Sequence, residues 1–237
     1  LSPRFTHGTF MPTWKTVSDP KLFGKAIWAY AERRGARFEK RTVVDARPVA
    51  EGDRRHVELA FADGEHMRAD NAVLCAGAWS HIHAARFGDR IPLETERGYN
   101  TTLPPGAFDL RRHLTFVGHG FVVSPLVTGL RVGGAVELAG LDRPPNYARS
   151  RAMLEKAKQF LPGLKTEGGR EWMGFRPSLP DSLPVIGRAR SAPGVFYAFG
   201  HGHLGLTQAA ATGRLVRDLV CGAGSAINLA PFSPQRF

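Results

Sequence analysis

The sequence predicts a mixed α/β fold in which an α/β domain is interrupted by a mainly antiparallel β domain. Three observations carry this. Val195-Phe196-Tyr197-Ala198-Phe199 is a short β-branched and aromatic run bounded by glycines, the pattern of a buried strand. It leads into Gly200-His201-Gly202-His203-Leu204-Gly205, then into Leu206, Ala210, Gly213, Leu215 and Leu219 at helical spacing. Between Ile91 and Leu138, by contrast, apolar runs alternate with Gly/Pro-rich turns and no long helix intervenes, which reads as an antiparallel sheet.

Taken in order, residues 1–18 read as extended. Ser18-Asp19-Pro20 opens a helix, because an Asp side chain caps orphan N–H groups and Pro tolerates the first turn. Leu22, Phe23, Ala26, Ile27 and Tyr30 form its apolar face, and Gly35 ends it. Phe38–Val44 and His56–Phe61 alternate as strands, Asp63-Gly64 is a hairpin turn, and residues 66–70 return. Ala72–Ala76 reads as a short buried strand, followed at Gly77-Ala78-Trp79-Ser80 by a short helix through His83 and Phe87 that Gly88 stops. Strands are then expected at Ile91–Leu103, His113–Val117, Phe121–Pro125 and Leu130–Glu137, a helix at Tyr147–Leu161, and a strand at 169–175 leading into Arg176. The last strand and helix rejoin the first sheet, giving domains 14–90 with 177–237, and 1–13 with 91–176.

The chain has 237 residues, enough for a sizeable core, and its 43% hydrophobic and 22% charged residues are globular values. No run is long enough to span a membrane. The chain starts at Leu1 without an apolar leader, as expected of a processed or truncated polypeptide. Two cysteines, Cys75 and Cys221, make no disulfide scaffold, so a cytoplasmic location is expected. The net charge of +11 is scattered in isolated pairs with no recognition motif, so nucleic acid is not expected as a partner. The same charge is compatible with peripheral contact with an anionic membrane.

Gly200, Gly202 and Gly205 spell a dinucleotide fingerprint, but only one helix and a short tail follow. A pyrophosphate site there is therefore not expected, because that motif opens a βαβ unit. The glycines would let a ligand approach the helix N-terminus closely, or the turn carries no ligand at all. No H-E-x-x-H, C-x-x-C or Cys/His cluster suggests a metal. Glu94 and Glu96 share a strand face, which reads as solvated rather than catalytic.

Several segments resemble, in order, the C-terminal part of the D-amino-acid dehydrogenase and glycine/sarcosine oxidase family of FAD-dependent enzymes. They are Gly35-Ala36 with Thr42-Val43-Val44, Ala69 through Ser80, Arg97-Gly98-Tyr99, Arg131-Val132-Gly133-Gly134, Gly174-Phe175-Arg176-Pro177, Pro180 through Gly187, and Gly200-His201-Gly202. The resemblance implies a partial FAD-binding Rossmann-like domain (14–90, 177–237) interleaved with a β substrate domain (1–13, 91–176). It implies hydride transfer from the Cα of a small amino acid, a D-amino acid or proline derivative, to a flavin, giving an imine and then a 2-oxo acid. Arg176 matches the arginine that pairs with the substrate carboxylate, and bidentate guanidinium chemistry suits that role; a surface arginine is the alternative. Gly200, His201, Gly202, His203, Leu204 and Gly205 match the loop lining the isoalloxazine ring. His201 or His203 would bond substrate or flavin, or be structural. Gly77, Ala78 and Trp79 match backbone lining FAD, and Val44 the strand-end valine at adenine. Tyr99 matches a substrate-domain position with a catalytic or substrate-binding role, or is core. No cysteine falls near Arg176, so the FAD is expected to be non-covalent.

The family's N-terminal G-x-G-x-x-G unit has no counterpart here. The missing half is expected either from a longer polypeptide or from a partner subunit, with a respiratory acceptor as a possible electron sink. An inactive remnant of the family is the alternative function.

Overall fold

The computed structural model describes residues 1–52 and 54–237, and for Arg54 the backbone only. The described chain divides into two compact units. The first comprises Leu1–Phe38, Arg97–Glu137 and Arg143–Gly174; the second comprises Glu39–Glu96, Leu138–Asp142 and Phe175–Phe237. Residues 14–38 thus group with 97–137, not with the α/β segment to which the sequence reading gave residues 14–90.

In the first unit, α1 spans Pro20–Glu32. Asp19 caps it, accepting from the N–H groups of Lys21 at 2.8 Å and Leu22 at 2.9 Å. Its apolar face is present but uncovered: Leu22, Phe23, Ile27 and Tyr30 are all exposed, and α1 buries no residue. A helical stripe becomes core only when another surface meets it.

A five-stranded sheet follows. Its strands are β5 (Glu94–Leu103), β6 (Leu114–Phe116), β7 (Phe121–Leu126), β8 (Gly129–Leu138) and β9 (Arg170–Ser178), in the order β6-β7-β8-β5-β9. The pairs β6–β7 and β7–β8 are antiparallel, as the Gly/Pro-punctuated pattern predicts. Helix α3 (Ala148–Phe160) buries Met153, Ala157 and Phe160, one helix face at spacings of four and three. Phe116 stacks on Phe121 with ring centroids 4.4 Å apart, and Phe160 closes the cluster. The first residues of β5, through Glu96, and the last of β9, from Phe175, belong to the second unit.

The second unit holds two three-stranded sheets. One is an antiparallel meander of β1 (Val43–Glu51), β2 (Arg54–Phe61) and β3 (His66–Ala69). The strand expected at 38–44 lies later in the chain, because pairing with β2 begins at Val43↔Phe61 and runs to Glu51↔Arg54. A period-two pattern cannot fix where pairing starts; the partner strand does. The other sheet has the order β10-β11-β4, from β10 (Val185–Arg188), β11 (Val195–Phe199) and β4 (Ala72–Leu74). Strand β10 follows directly on Pro184, in a segment where the sequence pattern announces no strand. Strand β4 is shorter and less buried than expected, with Val73 40% exposed.

Strands β4 and β11 run parallel, so the last strand does rejoin the early one. Val57, Leu93, Val185, Val195, Tyr197 and Phe199 form the centre of this unit's core. Helix α2 (Ser80–Arg86) follows β4, and α4 (Gly205–Val220) follows β11. Helix α4 buries Thr212, Leu215 and Asp218, whereas the expected contacts Leu206, Ala210 and Gly213 face solvent. No helix among the described residues is long and apolar enough to cross a membrane.

Candidate active site

The parallel pairing of β4 with β11 fixes the site. Tyr197 stands opposite Leu74 where the pairing ends, and the turns at Gly200 and Gly77 follow these two strands. Both glycine turns therefore leave from the carboxyl edge of the sheet, where open α/β folds bind ligands. Gly77 has φ +56° and Gly200 φ +85°, both in the left-handed region that favours glycine. A Cβ at Gly77 would meet open space, whereas one at Gly200 would lie 2.5 Å from Leu179 Cδ1. After Gly200 the chain makes one 3-10 turn, Gly202–Leu204, and enters α4 with no side-chain cap and no acidic residue in its first turn. The N–H groups and the positive dipole end of this long helix are thus unneutralised at the loop.

Strand β9 brings polar groups to the same loop. A Cβ at Gly202 would lie 3.5 Å from Ser178 Oγ. Two residues earlier, on the same strand face, stands Arg176. Its Nη1 is buried and has no hydrogen-bond partner among the described residues. Burial lowers the Arg176 pKa from its ordinary value, an effect that the charge of Glu96 opposes. Glu96 accepts a hydrogen bond from His203 Nε2 at 2.6 Å, and the Ser178 hydroxyl also favours its ionised form. The His203 bond is the main reason the Glu96 carboxyl titrates below its usual range. His201 Nε2 lies 2.9 Å from Thr212 Oγ1 on α4, and burial pushes the His201 pKa down.

The unit thus brings together Arg176, His201, His203, Gly200, Gly202, Leu204 and Gly205. Leu204 is 53% exposed at the turn. Ala78 is buried at 1%, so only its backbone is on offer, and its carbonyl oxygen lies 3.0 Å from His81 Nδ1. Trp79 is 46% exposed and meets Phe175 edge-on at 5.2 Å. Val44 is 42% exposed at the start of β1, and its carbonyl accepts from Arg86 on α2.

Two expectations change. Tyr99 is a core residue of the first unit, 1% exposed. It donates to Glu137 at 2.5 Å and accepts from the Asn146 N–H at 3.0 Å, so it presents no group to substrate. Glu96 is not a solvated carboxylate but the hub between Arg176, Ser178 and His203. Sequence reasoning also missed Ser178 beside Gly202 and Thr212 beside His201. The two-residue phase from Arg176 to Ser178 along β9 was the one usable signal for any of them.

This edge fits one face of a flavin. It offers two glycine turns that admit a ring to the backbone and an uncapped helix N-terminus toward the anionic side of a reduced ring. It also holds a guanidinium, of the kind that binds a carboxylate, whose Nη1 has no hydrogen-bond partner among the described residues.

Together these features describe part of a flavoprotein oxidoreductase. The chain belongs to the FAD-dependent oxidoreductase family, whose model matches residues 1–219. A D-amino-acid oxidase of Bradyrhizobium diazoefficiens is 36% identical over 241 aligned positions, covering 100% of this chain and 56% of that protein. A D-amino acid dehydrogenase of Paramagnetospirillum magneticum is 36% identical, covering 92% of this chain and 52% of the relative. The chain thus spans about half the length of these curated relatives. Among solved structures, glycine oxidase from Geobacillus kaustophilus superposes with a TM-score of 0.79 at 25% identity, over 92% of this chain and 58% of that one. L-proline dehydrogenase from P. horikoshii, at 22% identity and a TM-score of 0.77 over 92% of this chain and 60% of that one, shares the fold.

Proposed function

We propose that this chain carries the ring-facing and carboxylate-holding part of a FAD-dependent enzyme that oxidises the Cα–N bond of a small α-amino acid. In this reading the second unit contributes both the turns that support the flavin ring and the arginine that holds the carboxylate. The observation that carries it is Arg176, a half-buried guanidinium whose Nη1 lacks a partner beside the Gly200–Gly205 turn. A buried guanidinium N–H without an acceptor is costly, and a substrate carboxylate supplies one.

When bound, FAD supplies the acceptor for the α-hydrogen and its electron pair. The residues of this chain bind and orient. Arg176 grips the carboxylate and so fixes where the α-carbon lies. The Gly200, Gly202 and Gly205 backbone and the α4 N-terminus support the ring, with Gly77, Ala78, Trp79 and Val44 along the rest of the cofactor. His201 is held neutral beside Thr212, and His203 stands at the loop mouth. The relatives' names place D-amino acids, glycine and proline among the compounds to try.

The test is a visible-spectrum titration of the purified chain with FAD, followed by anaerobic addition of D-amino acids, proline derivatives and sarcosine. Bleaching of the flavin band by one of these, lost in Arg176→Met, supports the reading. A chain that perturbs the FAD spectrum yet is bleached equally with and without Arg176 contradicts it.

A further inference from the structure

We propose that Glu96 is a positioning residue that fixes His203 in the Nε2–H tautomer, leaving Nδ1 to take a proton from the substrate ammonium. The inference rests on the proposed function and adds to it a proton acceptor and the residue that orients it.

The geometry is direct. Glu96 Oε2 and His203 Nε2 are 2.6 Å apart, a charge-assisted distance. An ionised carboxylate only accepts, so the neutral imidazole must carry its proton on Nε2. His203 makes no other hydrogen bond among the described residues, so Nδ1 keeps a free lone pair. The His203 side chain is 55% exposed, which leaves that nitrogen open to an incoming ligand. The Ser178 hydroxyl and the charge of Arg176 both favour the ionised form of Glu96. The carboxylate-binding cation and the imidazole are thus tied to one another through a single carboxylate. A carboxylate that orients a histidine by bonding one ring nitrogen, so that the other does the chemistry, is a recurring arrangement.

The step balances simply. An amino acid reaches the site as a zwitterion, and its α-carbon cannot release hydride while the nitrogen lone pair is protonated. One N–H bond of the ammonium breaks, its electron pair stays on nitrogen, and an Nδ1–H bond forms on His203. No electrons are exchanged with any other group. The resulting imidazolium is stabilised by Glu96.

The chain labelled with ¹⁵N-histidine tests the tautomer without any turnover. Long-range proton–nitrogen spectra distinguish Nε2–H from Nδ1–H, and the His203 signals are the ones that vanish in His203→Gln. The native chain is expected to show Nε2–H alone, Glu96→Asp to keep it, and Glu96→Ala to lose the single-tautomer pattern. A mixed or Nδ1–H ring in the native chain overturns the inference even if every variant fails to fold. So does a folded Glu96→Ala chain with an unchanged ring. With FAD and substrate present, flavin reduction is expected to fall about 10²-fold in His203→Gly and to recover on adding imidazole; no recovery overturns the proton-acceptor role. Native chain that holds the Nε2–H tautomer but shows no flavin reduction with any amino acid contradicts the proposed function instead.

Discussion

Tyr197 donates its hydroxyl to Asp89 at 2.9 Å, both side chains lying wholly inside the second unit. Asp89 also accepts from the Arg190 N–H at 2.9 Å and from Gln235 at 3.5 Å, and faces the Arg190 side chain at 3.7 Å. One buried carboxylate thus ties the residue after Gly88 to β11, to the β10–β11 turn and to the C-terminal 3-10 turn. Burial, and then the bond to Asp89, pushes the Tyr197 hydroxyl far above its ordinary range, so it remains a donor at any working pH.

Removing that carboxylate strands its donors. Asp89→Ala is expected to cost about 3 kcal/mol, and Tyr197→Phe about 1 kcal/mol, by the usual penalties for orphaned buried groups. Urea melts of the two variants and their double mutant measure this. The double mutant should cost less than the sum, since both changes break one bond. Additive losses would show the bond to be incidental.

The glycines of the site should separate into structural and functional ones. Gly200→Ala puts a Cβ 2.5 Å from Leu179 Cδ1 in a left-handed backbone, and a loss of roughly 2 kcal/mol is expected. Gly205 starts α4 in ordinary helical geometry, and a Cβ there meets only His201 Cβ at 3.5 Å. Gly205→Ala should therefore be neutral, or stabilising by up to about 1 kcal/mol. If the loop supports a flavin ring, that same methyl weakens FAD binding. Thermal melts and FAD titration of the two variants give opposite orders, and parallel orders would remove Gly205 from the cofactor surface.

His201 sets a pH dependence. Burial lowers its pKa below the ordinary 6.5 in the folded chain, so the unfolded chain takes up a proton first as the pH falls. Its contribution to stability is therefore fully present above pH 6.5, erodes below it, and is gone once the pH passes under the folded value. The slope cannot exceed about 1.4 kcal/mol per pH unit for one proton. His201→Gln should flatten this part of the stability profile. An unchanged slope would mean that His201 takes no part in it.

Much of this was readable from the chain. Val195–Phe199, its glycine turn and the helix after it are punctuated by local chemistry, and the Asp19 cap needs only its own neighbours. What escaped was non-local. Glu96 looked solvated because its partner His203 lies 107 positions away, and nothing on β5 announces it. Strand β10 hid behind Pro184, since a four-residue strand beside a proline has no period to read. The apolar face of α1 was legible, but whether a surface covers it is not a property of the helix. Tyr99 could be placed with either substrate or core by motif alone, and its bonds to Glu137 and Asn146 decide for core.

The most direct test of the site is the anaerobic visible spectrum of the chain equilibrated with excess FAD, recorded as an α-amino acid is added. Native chain is expected to perturb the flavin band and then bleach it. Arg176→Met should leave the perturbation intact and slow bleaching by about 10²-fold, the loss expected when a charged bidentate grip on substrate is removed. Native chain that leaves the FAD spectrum unperturbed and unbleached by every amino acid tried would contradict the assignment of Arg176 and the Gly200–Gly205 turn to substrate and flavin.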